Sequence, residues 1–315
     1  MTDRAAERGA TRGAGRWIAW LAGGLVVAAA LWTLRGQWHT AAAIASTLSV
    51  AWVTVFASSA IVLGAYFILI VTWRECVADA GAPLPLGESA RIWFVSNLAR
   101  YIPGALWQMG ALAVLAKQQG VSASAATSAA LVLTVVNTLC GLAVVLTLGN
   151  SLAAAPVTPW LPALAAVAGL AALRWVAPHV VRWLAQRTGR ELQLPALSNR
   201  MFAAAVGGSV LSWLAYGIAF KLFVSGTMPG VELSVAAAIA IYAGSYLAGF
   251  LSLGPPAGIG VADGALVYLL SAGGIATPGE AVVISALTRL WRTALEIAPG
   301  LVYLALQRSR GNRIP

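Results

Sequence analysis

A chain of 315 residues with 60% hydrophobic and only 10% charged side chains, and a mean hydropathy of +0.82, is not a globular domain in water, where about 25% of residues are charged. The formal net charge of +10 reads as arginines that mark short loops beside anionic head groups, not as a nucleic-acid footprint. No polar stretch reaches the roughly 40 to 60 residues that a catalytic domain needs to fold alone, so any chemistry is expected within the bilayer or at its surface.

Residues 1–16 set Arg4, Arg8, Arg12 and Arg16 against Asp3 and Glu7 and read as a disordered, basic cytoplasmic arm. The apolar run 17–34 has the length of about 20 residues that crosses about 30 Å of hydrocarbon. It lacks a clear small-residue cleavage site, so it reads as a retained helix rather than a signal peptide. The second span is 47–73, and the loop 74–91 that follows carries Pro83 and Pro85. Segment 92–116 is interrupted by Pro103-Gly104 and is expected to dip in and return. Further spans fall at 124–148, 157–177, 201–225 and 234–253. Segment 254–272 is read as a broken crossing, and 280–306 as the last helix before a basic tail, 308–315, with Arg308, Arg310 and Arg313. The fold class is all-α: a polytopic membrane helical bundle with about eight crossings plus a re-entrant hairpin, in one transmembrane domain over 17–307.

Orientation follows the arginines. The arm and the loop 178–200, with Arg182, Arg187, Arg190 and Arg200 against Glu191, belong inside; 149–156, without charge, and 226–233, with only Glu232, belong outside. This places the N-terminus and the tail in the cytoplasm, although a re-entrant 254–272 would move the tail outside. Trp17, Trp20, Trp38, Trp73, Trp93, Trp160, Trp175 and Trp183 stand near span ends, as an interfacial aromatic belt does.

Two stretches depart from clean helices: Asn97-Leu98-Ala99-Arg100-Tyr101-Ile102-Pro103-Gly104-Ala105-Leu106-Trp107-Gln108, and Gly254-Pro255-Pro256-Ala257-Gly258-Ile259-Gly260-Val261-Ala262-Asp263-Gly264. Proline breaks a helix, and in lipid the freed backbone is tolerated only where protein or a wet cavity satisfies it. Each break is followed by a short apolar stretch, a Gly-apolar turn (Gly120-Val121-Ser122, Gly274-Ile275-Ala276-Thr277) and a long span. Paired Gly/Pro-interrupted segments in two halves point to a transporter site; close helix packing through Gly254, Gly258, Gly260 and Gly264 is the competing explanation.

Asn97 to Gln108, continued by Ala116-Lys117-Gln118-Gln119-Gly120-Val121-Ser122, resembles the first signature of the flippase-like transmembrane family of the bacterial lysylphosphatidylglycerol synthases. The run from Pro256 through Gly258, Gly260, Asp263 and Gly264 to Arg289 resembles its second, looser signature. The resemblance covers about 15–307. It implies a stand-alone flippase-like protein in a bacterial inner (cytoplasmic) membrane, since family members joined to a soluble aminoacyl transferase move aminoacylated phosphatidylglycerol between leaflets. Two departures leave the substrate open: Leu133, Thr134 and Asn137 stand where the family often has charges, and Gly254-Pro255-Pro256-Ala257-Gly258 stands where Pro-Gly-Gly is usual.

Ionisable residues inside spans are costly and suggest function. Arg292 and Glu296, at i and i+4, can meet on one helix face, and Arg289 lies two turns from Glu296 on nearly the same face. Guanidinium forks match phosphate oxygens, although a buried ion pair that pins packing is the plain alternative. Arg100 and Asp263, each beside a break, are expected to share one cavity with the last helix. The candidate head-group site is therefore Asn97, Arg100, Pro103, Gly104, Gln108, Gly258, Gly260, Asp263, Arg289, Arg292 and Glu296, with Asn137 as a further polar group.

The leading function is translocation of an anionic, aminoacylated or polyprenyl-linked lipid. The alternative is a non-transporting membrane anchor for a separately encoded lipid-modifying or glycosyl transferase. An enzyme is not expected: H-E-x-x-H, G-x-S-x-G and Walker patterns are missing. No cofactor or metal is expected either, because His39, His179, Cys76 and Cys140 have no ligand spacing. The expected partner is membrane phospholipid, not nucleic acid.

Overall fold

The computed structural model describes residues 48–79, 81–101, 107–149, 198–252 and 256–311, with isolated positions between 164 and 183. The readings of 1–34 and of most of 157–177 therefore lie outside the described residues, as do Pro103 and Gly104. Every regular element described is a helix: α1 (Trp52–Asp79), α2 (Leu86–Leu98), a 3₁₀ turn (Ala99–Tyr101), α3 (Trp107–Lys117), α4 (Ala123–Leu148), α5 (Asn199–Thr227), α6 (Val235–Leu251), a second 3₁₀ turn (Pro256–Gly258), α7 (Val261–Ala272) and α8 (Pro278–Gly311). Helices α1, α4 and α5 are long and apolar enough to cross a membrane.

Helices α1 and α5 form the most extensive pair. Gly208 faces Thr72 and Gly226 faces Thr54, so the two run antiparallel, and small residues let them approach. Helix α6 lies against α5 through Gly217, where a Cβ would stand 2.3 Å from the Ile239 Cα. Trp73, expected in the head-group belt, is instead fully buried and donates to the Ala126 carbonyl at 3.3 Å, joining α1 to the start of α4. Cys76, expected in a loop, is buried within α1, which continues to Asp79.

Both broken segments are hairpins. Asn97 near the end of α2 accepts from Gln108 at the start of α3 at 2.6 Å, and α3 packs against α2. Helix α2 starts shortly after α1 ends, and α3 leads into α4, whose first turns touch the same end of α1. The hairpin thus begins and ends on one face, and helices of 13 and 11 residues reach only about 16 to 20 Å. In the second, Gly249 packs on Ala262 and Gly244 on Leu269, so α6 and α7 run antiparallel. Segment 254–272 is therefore not a broken crossing. The 12 residues of α7 span about 18 Å, too short for the bilayer core, and return the chain to the face where α6 began. Because both arms belong to one hairpin, a re-entrant 254–272 leaves α8 ending on the face where α5 starts.

The two hairpins enter from opposite faces. The first is rooted beside the start of α4; the second is rooted beside its end, where a Cβ on Gly149 would meet Ala240 at 3.6 Å. Helix α8 reports the same arrangement. Its C-terminal half runs antiparallel to α2, with Gly300 against Leu98 and Tyr303 stacked on Phe94, while its middle meets the tip of the second hairpin at Ala257. The two 3₁₀ turns touch each other. Helix, break, short helix, glycine turn and long helix thus occur twice with inverted entry, an inverted repeat. The glycine turns match in detail. Gly120 (φ +78°) and Gly274 (φ +66°) each end a short helix, followed by a bond from Val121 N to Ala116 O at 3.2 Å and from Ile275 N to Leu270 O at 3.0 Å, the Schellman pattern. Ser122 then caps α4, and Thr277 with Glu280 caps α8.

The tip of the second hairpin has no room to spare. Gly258 has φ +66°, and a Cβ there would lie 2.8 Å from the Gly249 Cα. Gly258→Ala is expected to cost about 2 kcal/mol or more through overpacking and left-handed strain, read as a lower unfolding midpoint in detergent. Gly264→Ala, where a Cβ meets nothing within 4 Å, is the matched control.

Candidate functional site

Where the two tips meet α8, five charged side chains gather. Glu296 on α8 lies 3.4 Å from Arg100 Nη1 in the first 3₁₀ turn and 3.8 Å from Arg292 Nε, one turn back on its own helix. Tyr101 donates to its second oxygen at 2.6 Å. Arg100 also donates to the Tyr246 hydroxyl of α6 at 3.2 Å, and the Arg292 guanidinium stands 5.6 Å over the same ring, a cation–π distance. One tyrosine, near the tip-side end of α6, therefore links the second hairpin to the tip of the first. Pro299, one turn beyond, frees a carbonyl of α8. Gly300 gives α2 its close approach, since a Cβ there would be 2.9 Å from the Phe94 carbonyl.

About 10 Å along α8, Arg289 holds the second tip. Its Nη1 donates to the Ala257 carbonyl at 3.3 Å, and its Nη2 lies 3.6 Å from Asp263 Oδ2. Asp263 Oδ2 accepts from the Gly260 amide at 2.9 Å, and Ser285 Oγ donates to the Asp263 carbonyl at 3.1 Å. Ala257 has φ +52° and Gly260 φ +84°. This irregular backbone turns its polar groups toward the arginine face of α8, which is how broken chain is satisfied at membrane depth.

The cluster lies near mid-depth. Tyr246 packs on Trp213, Trp213 on Tyr216, and Tyr216 on Tyr66; Tyr66 and Tyr216 stand near the centres of α1 and α5. Glu296 is 5% exposed, Arg292 11%, Arg289 17%, Arg100 20% and Asp263 31%. Three guanidiniums face two carboxylates, so the cluster carries one net positive charge. Each cation has a carboxylate within 4 Å, yet Arg289 Nη2 is buried with no hydrogen bond.

Of the predicted site residues, Arg100, Asp263, Arg289, Arg292 and Glu296 converge. Asn97 and Gln108 bond to each other and tie the first hairpin rather than reaching the arginines. Gly258 is a packing contact, and Gly260 supplies an amide to Asp263. Asn137 stands apart at the α4–α5 crossing, where its carbonyl accepts from Trp213 Nε1 at 2.8 Å. Sequence reasoning missed Tyr101, Tyr246 and the tyrosines beneath them. Among the described residues no three His, Cys, Asp or Glu side chains gather as metal ligands.

Residues 20–300 match the model of the lysylphosphatidylglycerol synthase TM region. The chain belongs to that family. The match spans both hairpins and every charged residue of the cluster, so the resemblance carried by the two signatures extends over the described bundle as far as residue 300 in α8. No curated protein matches the chain. Membership assigns this lysylphosphatidylglycerol synthase TM-family protein to the membrane and to lipid-related work.

Proposed function

We propose that this protein translocates phospholipid between leaflets, passing the phosphodiester of an anionic or aminoacylated head group over the arginines of α8 while the acyl chains stay in the bilayer. The observation that carries this reading is the unbalanced charge. Three arginines against two carboxylates leave one cation for an anionic guest at a depth where a bare charge is expensive. Two opposed hairpin tips meeting at that depth fit alternating access, with each hairpin closing one side. The protein acts as a carrier without a catalytic step, in the inner membrane of a bacterium with its N-terminus in the cytoplasm.

Reconstitution in liposomes with labelled phosphatidylglycerol tests this. Exchange between leaflets is expected to rise well above that of protein-free liposomes. If exchange stays at the protein-free level while the protein remains folded, the role is that of an anchor for a separately encoded transferase.

A further inference from the structure

Asp263 sits where an anion belongs. Its Oδ2 is approached by the Gly260 amide at 2.9 Å and by Arg289 Nη2 at 3.6 Å. The fit is one-sided: the amide is satisfied, while the buried Nη2 is too far for a hydrogen bond and has no other partner. Arg289 Nη1 is already engaged by the Ala257 carbonyl, so Nη2 is the free prong of the fork. Asp263 is also the most exposed of the five charged groups, at 31% against 5% for Glu296, and has room to turn aside. Glu296 is fixed by Arg100, Arg292 and Tyr101. An amide and a guanidinium prong aimed at one oxygen suit a phosphodiester, whose longer P–O bonds and several oxygens let it reach both donors.

We propose that Asp263 is a built-in stand-in for the substrate phosphate. The lipid phosphodiester replaces its carboxylate on the Gly260 amide and on Arg289 Nη2, and Asp263 takes the place back when the lipid leaves. This rests on the translocation reading and adds to it a competitor that keeps the resting affinity low. A carrier needs that as much as it needs binding, because a guest held too well does not leave. A merely structural Asp263, acting as a cap for α7, makes the opposite prediction for affinity.

The test is calorimetric titration of the purified full chain in detergent with dihexanoyl phosphatidylglycerol. Asp263→Asn keeps an oxygen for the Gly260 amide and loses the charge; Asp263→Ser loses the charge with a smaller side chain and guards against a folding defect peculiar to the first variant. Both are expected to bind the probe about ten-fold tighter than the wild type, a difference of about 1.4 kcal/mol, and Arg289→Ala in the same chain is expected to cancel the gain. Unchanged or weaker binding by the folded variants, with the wild type still binding, overturns the stand-in role and leaves translocation untouched. Failure of the folded wild type and both variants to bind at all removes the translocation reading and this proposal with it.

Discussion

Replacing Glu296 with alanine is expected to lower the unfolding free energy by about 3 to 5 kcal/mol, the largest stability loss of any single change at the cluster. Glu296 is the only carboxylate within 4 Å of Arg100 and of Arg292 among the described residues, and it accepts from Tyr101 as well. Without it, two guanidiniums are left facing each other in a tightly closed site, and the local charge rises from one to two. The cost is that of stranded buried charges, not the net worth of the pair. Glu296→Ala combined with Arg100→Ala is therefore expected to recover part of the loss, since one stranded cation has gone. Chemical unfolding in a mild detergent, followed by tryptophan fluorescence, checks both. A loss under about 1 kcal/mol for the single change would mean that Glu296 behaves as a solvated surface group, and the mid-membrane placement would be wrong.

Arg289→Ala is expected to cut leaflet exchange of phosphatidylglycerol by about 10- to 100-fold, the worth of one or two charge-assisted hydrogen bonds, with a much smaller effect on stability. The reason for the contrast lies in how Arg289 is held. Its partners are the Ala257 carbonyl at 3.3 Å and the partly exposed Asp263 at 3.6 Å, so removing it strands only a carboxylate that keeps the Gly260 amide. A guanidinium with an unused buried prong adds little to the resting fold and much to an incoming phosphate. Exchange in liposomes and the unfolding midpoint, measured on the same preparation, separate the two effects. Full exchange in a folded Arg289→Ala protein would take the phosphate away from this arginine.

Much of the architecture was legible because lipid imposes simple rules. Runs of apolar residues mark α1, α4 and α5, and proline with glycine inside such runs marks where the sequence of each hairpin breaks between its two arms. The paired Gly120-Val121 and Gly274-Ile275 turns foretold the repeat. Helical spacing was enough to place Arg292 beside Glu296. What was not legible was direction and distance in space. Hydropathy reads the length of a run, so α6 and α7 passed as two crossings, although they pack as the arms of one hairpin through Gly249 and Ala262. The pairing of Arg100 with Glu296 joins elements from distant parts of the chain, for which local spacing carries no information. The tyrosines did leave a signal. Tyr242 and Tyr246 lie one turn apart in the middle of an apolar helix, whereas tyrosine in membranes favours the interface; a hydroxyl at such depth needs a polar partner.

Two hairpins enter from opposite faces and meet at α8, and the arginine site exists only because they do. Single cysteines at Gly87, Lys117, Glu232 and Ala272, placed in the chain with its own buried Cys76 and Cys140, test this with a membrane-impermeant maleimide applied to sealed vesicles of either orientation. Gly87→Cys and Lys117→Cys are expected to label together from one side, and Glu232→Cys and Ala272→Cys together from the other. Labelling of Gly87→Cys and Lys117→Cys from opposite sides, or of Glu232→Cys and Ala272→Cys from opposite sides, would mean that a broken segment crosses the bilayer, and the meeting of tips at the arginines would not exist.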